Sequence, residues 1–229
     1  MARGTNESAK VRRVRNAILG GLGVVVLAIV GIGLWSTLEP VGEIAPGTHY
    51  TVLPEAERPR EGPVVVTEYF SYGCVHCANF DPQIEDWRED LPEGVRFERV
   101  PVAFSPDWRA LAAAYYAAQE LGVLERNHAR LFDAIHGARL NLTSVDALAQ
   151  FFDGHGTDAA AFRRALGSPA VRRAVAEAET RTRDADIRSV PTLVVDGRYR
   201  IDAAQLSRQQ ILAVADELVE RERAARDAG

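Results

Sequence analysis

The apolar positions of this chain fall into runs of different period, and each period predicts a different element. The first run, Ala17 to Trp35, holds 19 residues without a charge, enough to cross a bilayer as a helix. Residues 36 to 62 contain Pro40, Pro46, Pro54 and Pro59 and predict an extended tether broken by one short strand at His49 to Leu53. Pro63 to Phe70 is β-branched and aromatic and apolar on both faces, as in a strand buried within a sheet. From Cys77 the apolar residues Phe80, Ile84, Trp87 and Leu91 recur at spacings of three and four, predicting a helix that Pro82 should kink rather than end. Val95 to Val102 alternates and predicts a second core strand.

From Asp107 to about Asp186 the signals are helical throughout. Asp107 is the expected cap of Trp108 to Leu121, Glu125 to His136 is amphipathic and stops at Gly137, and Ser144, Thr157 and Ser168 each stand before a further helix, the last with Pro169 at its first position. Thr192 to Val195, the turn pair Asp196-Gly197, and Arg198 to Ile201 then predict a hairpin, and Gln205 to Arg226 a closing helix. The order describes an α/β protein whose mixed central sheet is flanked by helices and interrupted by an all-helical insertion. The implied division is a tail at 1–16, a membrane helix at 17–35, a tether with a first strand at 36–62, and a sheet part at 63–104. The insertion at 105–186 and a second sheet part at 187–229 follow.

Charge changes this picture at the N-terminus. Of the net −5, residues 1 to 16 hold Arg3, Lys10, Arg12, Arg13 and Arg15 against Glu7, or +4, so the remainder carries −9. Arginines on one flank of the apolar run predict that this flank stays cytoplasmic and that the body is exported to the far side of the membrane. A cleaved signal peptide leaving a soluble exported body is the alternative, but the run is longer than usual for one and Trp35 to Pro40 supplies no small-x-small site. An acidic body excludes a nucleic-acid partner from the expected set.

The candidate chemistry lies in the chain's two cysteines, Cys74-Val75-His76-Cys77, placed where a buried strand gives way to a helix. N–H groups of a helix's first turn and the helix dipole favour a thiolate at Cys74, and His76 in the same turn is expected to matter most among the side chains that stabilise it. Cys77, one turn further in, is placed to resolve a mixed disulfide. Three other readings compete: a zinc site, a structural disulfide, and two ordinary buried cysteines. Structural zinc normally needs four ligands and no second C-x-x-C is present, while a bond closing so short a ring adds little stability. His49, His128 and His155 are expected on surfaces or helix faces, and Arg181, Arg183 and Arg188 on a solvated face. Tyr69, Phe70, Tyr72 and Phe80 are expected as packing residues.

The segment Glu68-Tyr-Phe-Ser-Tyr-Gly-Cys74-Val-His-Cys77 with Asn79-Phe-Asp-Pro82 resembles the active-site segment of the DsbA family of bacterial disulfide oxidoreductases. Arg99 to Phe104, Ala112 to Ala117, Leu131 to His136 and Ser189 to Gly197 extend the resemblance in order. It implies a thioredoxin fold with a helical insertion that passes disulfides to newly exported, cysteine-containing proteins in the periplasm. Reoxidation would come from a membrane-bound redox partner, with no cofactor beyond the redox-active pair. Carried onto this chain, Cys74 would attack, Cys77 resolve, and Val190-Pro191 form a cis-proline loop opposite them. Acidic groups near the pair would be Glu68, a proton relay or else a carboxylate paired with an arginine, and Asp81. Two departures stand out: Val75 replaces the proline of the best-known members, and the membrane anchor is absent from many. A thioredoxin-like reductant and a Cys/His metal-binding module are the competing functions.

Overall fold

The computed structural model describes residues 15, 16, 18, 19, 21, 43–54, 62–202, 204 and 206–227. The expected membrane helix at 17–35 and the basic tail lie largely outside these residues, as does about half of the tether. Among the described residues no helix is long and apolar enough to cross a membrane.

Five strands form one mixed sheet: β1 (Thr51–Val52), β2 (Val64–Phe70), β3 (Val95–Pro101), β4 (Thr192–Val195) and β5 (Tyr199–Asp202), in the order β1-β5-β4-β2-β3. β2 and β3 are parallel, joined by helix α1 (Val75–Glu89), whereas β2 and β4 are antiparallel. Parallel neighbours need such a crossover, and α1 supplies it. It runs through Pro82 without ending there.

Between β3 and β4 the chain is helical: α2 (Pro106–Glu120), α3 (Leu124–Phe132), a π-helical turn (Asp133–Gly137), α4 (Val145–Phe152), α5 (Ala159–Leu166) and α6 (Pro169–Asp184). α7 (Arg208–Asp227) closes the fold against β2, β4, β5 and α1. The inner face of α2 carries Ala112, Ala114, Ala117 and Ala118, small enough for α5 and α6 to pack close against it. Phe152 and Phe162 stack beneath this layer at 3.9 Å between ring centroids.

Side chains alternate across β2, and the alternation sorts chemistry onto two faces. Thr67 and Tyr69 point to the α6 side, where Tyr69 joins Val100, Ala178, Ile187 and Val194 in a core. Glu68 and Phe70 have the opposite parity, and Phe70 packs with Tyr72, Cys77, Leu111 and Phe132.

Several sequence expectations are corrected. The first strand is two residues long rather than His49 to Leu53, because the chain turns at Gly47, φ 79, and bridges Pro46 to Tyr50 before pairing with β5. Ser105, not Asp107, caps α2 by accepting the Trp108 N–H, with Pro106 at the first helical position. Asp158, not Thr157, caps α5, its Oδ1 accepting the Ala161 N–H at 2.7 Å. Ser144 and Ser168 cap as expected. The last helix opens at Arg208 rather than Gln205, since Ser207 Oγ accepts the Gln210 N–H. Asp196 and Gly197, φ 55 and 63, make the β4–β5 turn.

Candidate active site

The chain leaves β2 at Phe70, turns through Ser71–Gly73 and enters α1 with Cys74 as its N-cap. The Cys74 N–H donates to the Ser71 carbonyl at 3.0 Å and the Gly73 N–H to Ser71 Oγ at 3.1 Å, closing the turn. Gly73 is required here by space: a Cβ would meet Trp108 Nε1 at 2.5 Å. Cys74 Sγ takes the place usually held by a capping oxygen and accepts the Cys77 N–H at 3.4 Å. A thiolate accepts better than a thiol, so the cap position itself favours the anion.

Both cysteines are free thiols, Cys74 8% exposed and Cys77 wholly buried. The Cys74 thiol donates to the Val190 carbonyl at 3.5 Å, and the Val190–Pro191 peptide is cis. Val75 and His76 are exposed beside the pair, and His76, Val190 and Pro191 share a cavity of about 410 Å³ with Asn79, Arg208 and Ile211.

The two thiols have opposite acidities. Cys74 is pulled from 9.0 down to about 6, first by the hydrogen bond from the Cys77 thiol. Burial opposes this; the backbone N–H groups of Cys77 and His76 add to it, and the His76 charge contributes least. The expectation that His76 dominates is therefore reversed, because its imidazole is exposed to solvent that screens it. Cys77 is pushed up, foremost by burial, then by its hydrogen bond to Cys74 and the negative charges of Cys74 and Glu68.

Glu68 lies beneath this pair on β2, 2% exposed. Its Oε2 accepts from Arg99 Nε at 2.7 Å, from the register-matched residue of β3. Arg99 Nη2 also reaches Asp81 Oδ1 at 3.0 Å and Glu85 Oε1 at 2.7 Å. Burial raises the Glu68 carboxyl while Arg99 draws it down, and the net direction is upward. Glu68 is thus a carboxylate paired with an arginine, and its charge is felt by Cys77.

His128, expected on a surface or a helix face, lies on the buried face of α3, 6% exposed: its Nε2 is 2.9 Å from Asp81 Oδ1 and its Nδ1 2.7 Å from the Tyr72 hydroxyl. His136 Nε2 lies 2.7 Å from the Tyr72 carbonyl. Sequence reading missed both, because spacing along a helix does not reveal what faces it. The signal available was the pairing of a histidine with Asp81 and Tyr72, two residues flanking the cysteine motif. Arg181 also departs from the solvated expectation: it is half-buried and pairs with Glu98 across the other face of the sheet. Arg183 and Arg188 are exposed as expected.

Among the described residues, Asp81, Glu85 and His128 form the one trio with ligand-like spacing, and Arg99 already places its guanidinium on both carboxylates. Cys74 and Cys77 are not part of it.

Two thiols of opposite acidity, one presented at a helix N-terminus and one buried behind it, define a thioredoxin-fold protein built for dithiol–disulfide exchange. Residues 65–215 match the model of the DSBA-like thioredoxin domain. The thiol:disulfide interchange protein DsbA of Azotobacter vinelandii is 34% identical over 213 residues, 92% of this chain and 99% of that one. The crystal structure of Pseudomonas aeruginosa DsbA superposes with a TM-score of 0.77 at 31% identity, covering 82% of this chain and 100% of that chain. The oxidoreductase DsbA from Xylella fastidiosa gives 0.74 at 34% identity, covering 79% and 98%. This chain belongs to the DSBA-like thioredoxin family.

Proposed function

We propose that this chain donates disulfide bonds to exported proteins through the Cys74–Cys77 pair. Thiol-disulfide oxidoreductase activity follows from the family, and the direction follows from the site. The observation that carries it is the acidity of Cys74 at about 6. A thiolate held this comfortably makes the reduced state favourable, so the oxidised protein tends to pass its disulfide on.

In the forward step a substrate thiolate attacks Cys74 Sγ of the oxidised pair, forming a mixed disulfide and expelling Cys77 as the leaving group. A second substrate thiolate then attacks the mixed disulfide at the substrate sulfur, releasing the substrate disulfide and Cys74 thiolate. Two electrons have moved from substrate to enzyme, and an oxidant must remove them to close the cycle, a part we assign to a membrane-bound redox partner. Cys77 leaves into a site that disfavours its anion, so a proton must reach it, and Glu68 is the buried carboxyl we assign to that delivery. The Val190-Pro191 loop, with Cys74 against its carbonyl, would present backbone to a substrate strand.

Residues 1–62 would deliver the body to the periplasm as a cytoplasmic tail, a single inner-membrane helix and a tether; a soluble body released by cleavage is the alternative. The support is the uncharged run Ala17 to Trp35 behind its arginines. Mixing the oxidised protein with a reduced, unfolded two-cysteine protein tests the direction. Rapid formation of the substrate's disulfide, lost in Cys74→Ser, is expected; a protein that only reduces the substrate's preformed disulfide would be a reductant.

A further inference from the structure

Tyr72 precedes Cys74 by two residues, and the helical insertion holds it at both ends. His136 Nε2 lies 2.7 Å from its carbonyl oxygen and His128 Nδ1 2.7 Å from its hydroxyl. Tyr72 lies beyond β2, so its carbonyl has no place in that strand's ladder, and its side chain is 1% exposed. Each polar end would be costly to bury without a partner.

The two histidines are eight residues apart, which in an unbroken α-helix sets them about 80° round from one another. The structure does not continue the α-helix. After Phe132 the chain makes a π-helical turn, Asp133–Gly137, closed by the Ala138 N–H on the Asp133 carbonyl at 2.9 Å. A π-turn rotates less per residue, so His136 lags back towards the face that carries His128. Both then meet the same residue. His128 is anchored in turn by Asp81 Oδ1 at 2.9 Å; with that carboxylate accepting Nε2–H, Nδ1 is left to accept the Tyr72 O–H.

We propose that His128 and His136 are positioning residues for the redox pair: by gripping Tyr72 at hydroxyl and carbonyl they hold the Ser71–Cys74 turn where Cys74 Sγ stays on the Cys77 N–H. That contact is 3.4 Å, an ordinary distance for a sulfur acceptor, and it depends on the angle as well as the distance, so a drift of the turn weakens it. The clamp thereby sets how acidic and how oxidising Cys74 is. It rests on the reading of Cys74 as the attacking thiolate, and the helical insertion acquires through it a part in the chemistry.

The test is a thiolate absorbance titration and a glutathione equilibrium of the full-length protein and four variants. His136→Gln keeps a donor where Nε2 stands and should stay within about twofold of the parent in both. His136→Asn, too short to reach, and His136→Leu should raise the Cys74 midpoint by about one unit and make the protein about tenfold less oxidising. Tyr72→Phe removes only the His128 arm and should give a smaller change of the same sign. If His136→Leu does not fold, the Gln and Asn pair decides. A parent whose Cys74 titrates near 9 would overturn the thiolate reading and the clamp with it. A parent with acidic Cys74, but Asn and Leu variants within about twofold of it, would overturn the clamp alone.

Discussion

Glu68 Oε2 lies 2.7 Å from Arg99 Nε with both side chains almost wholly buried, 2% and 8% exposed. A charge in such a site is tolerated only when paired, and Arg99 is paired three times, with Glu68, Asp81 and Glu85. One guanidinium thus ties β2, β3 and α1 together.

Removing that guanidinium leaves buried carboxylates uncompensated. Arg99→Met should cost about 3–5 kcal/mol by urea unfolding, with Arg99→Lys in between because one ammonium cannot reproduce the fork. A loss below about 1 kcal/mol would show that the network does not hold the fold.

Glu68→Gln keeps the shape and removes the titrating group. If Glu68 delivers the proton that the departing Cys77 needs, formation of mixed disulfides should slow more than their release in stopped-flow measurements. Removing a negative charge also eases ionisation of Cys77, so a formation rate that is unchanged or faster assigns Glu68 an electrostatic role only.

The ordering of influences on Cys74 separates its neighbours. Cys77→Ala removes the foremost of them and should raise the Cys74 midpoint more than His76→Ala, whose effect should stay below about one unit because the imidazole is exposed. A larger rise in His76→Ala would restore the histidine to the leading role.

Gly73→Ala drives a methyl group into the Trp108 ring. The cost should be about 1–3 kcal/mol, and much of it should vanish in a Trp108→Leu background, where the obstacle is gone. Equal costs in both backgrounds would place the strain in the backbone instead.

The parts of this site that sequence made legible are those with local signatures. The cysteines fall at a strand-to-helix change of period, Ser-Val-Pro-Thr precedes a strand, and serines stand before apolar runs; each is read from neighbours along the chain. His128, His136 and Arg181 were not legible in that way. Helical period assigns them a face but not what packs on it, and Gly137 at the end of the π-turn signals a stop rather than the shift in phase of His136. Asp81 was anticipated near the pair only through the family resemblance, whereas its partners Arg99 and His128 come from β3 and α3. Contacts set by topology rather than by neighbours remain invisible until the sheet is assembled.

The most direct test is paired denaturant unfolding of the oxidised and reduced protein between pH 6 and pH 8. Cys74 has a folded value of about 6 against 9.0 for the free thiol. Its ionisation therefore stabilises the reduced form fully above 9 and loses that effect as pH falls through 6. Cys77, raised, stays protonated across this window and contributes nothing to the slope. At about 1.4 kcal/mol per unit, the stability of reduced relative to oxidised protein should rise by about 2 kcal/mol from pH 6 to pH 8. Closing the short disulfide ring favours the oxidised form by about 2 kcal/mol, and the thiolate contributes about 3 kcal/mol the other way at pH 8. The account predicts a reduced protein that is the more stable at pH 8, by a margin that shrinks on acidification and reverses before pH 6. An oxidised protein more stable at pH 8, with a gap that does not change with pH, would contradict it.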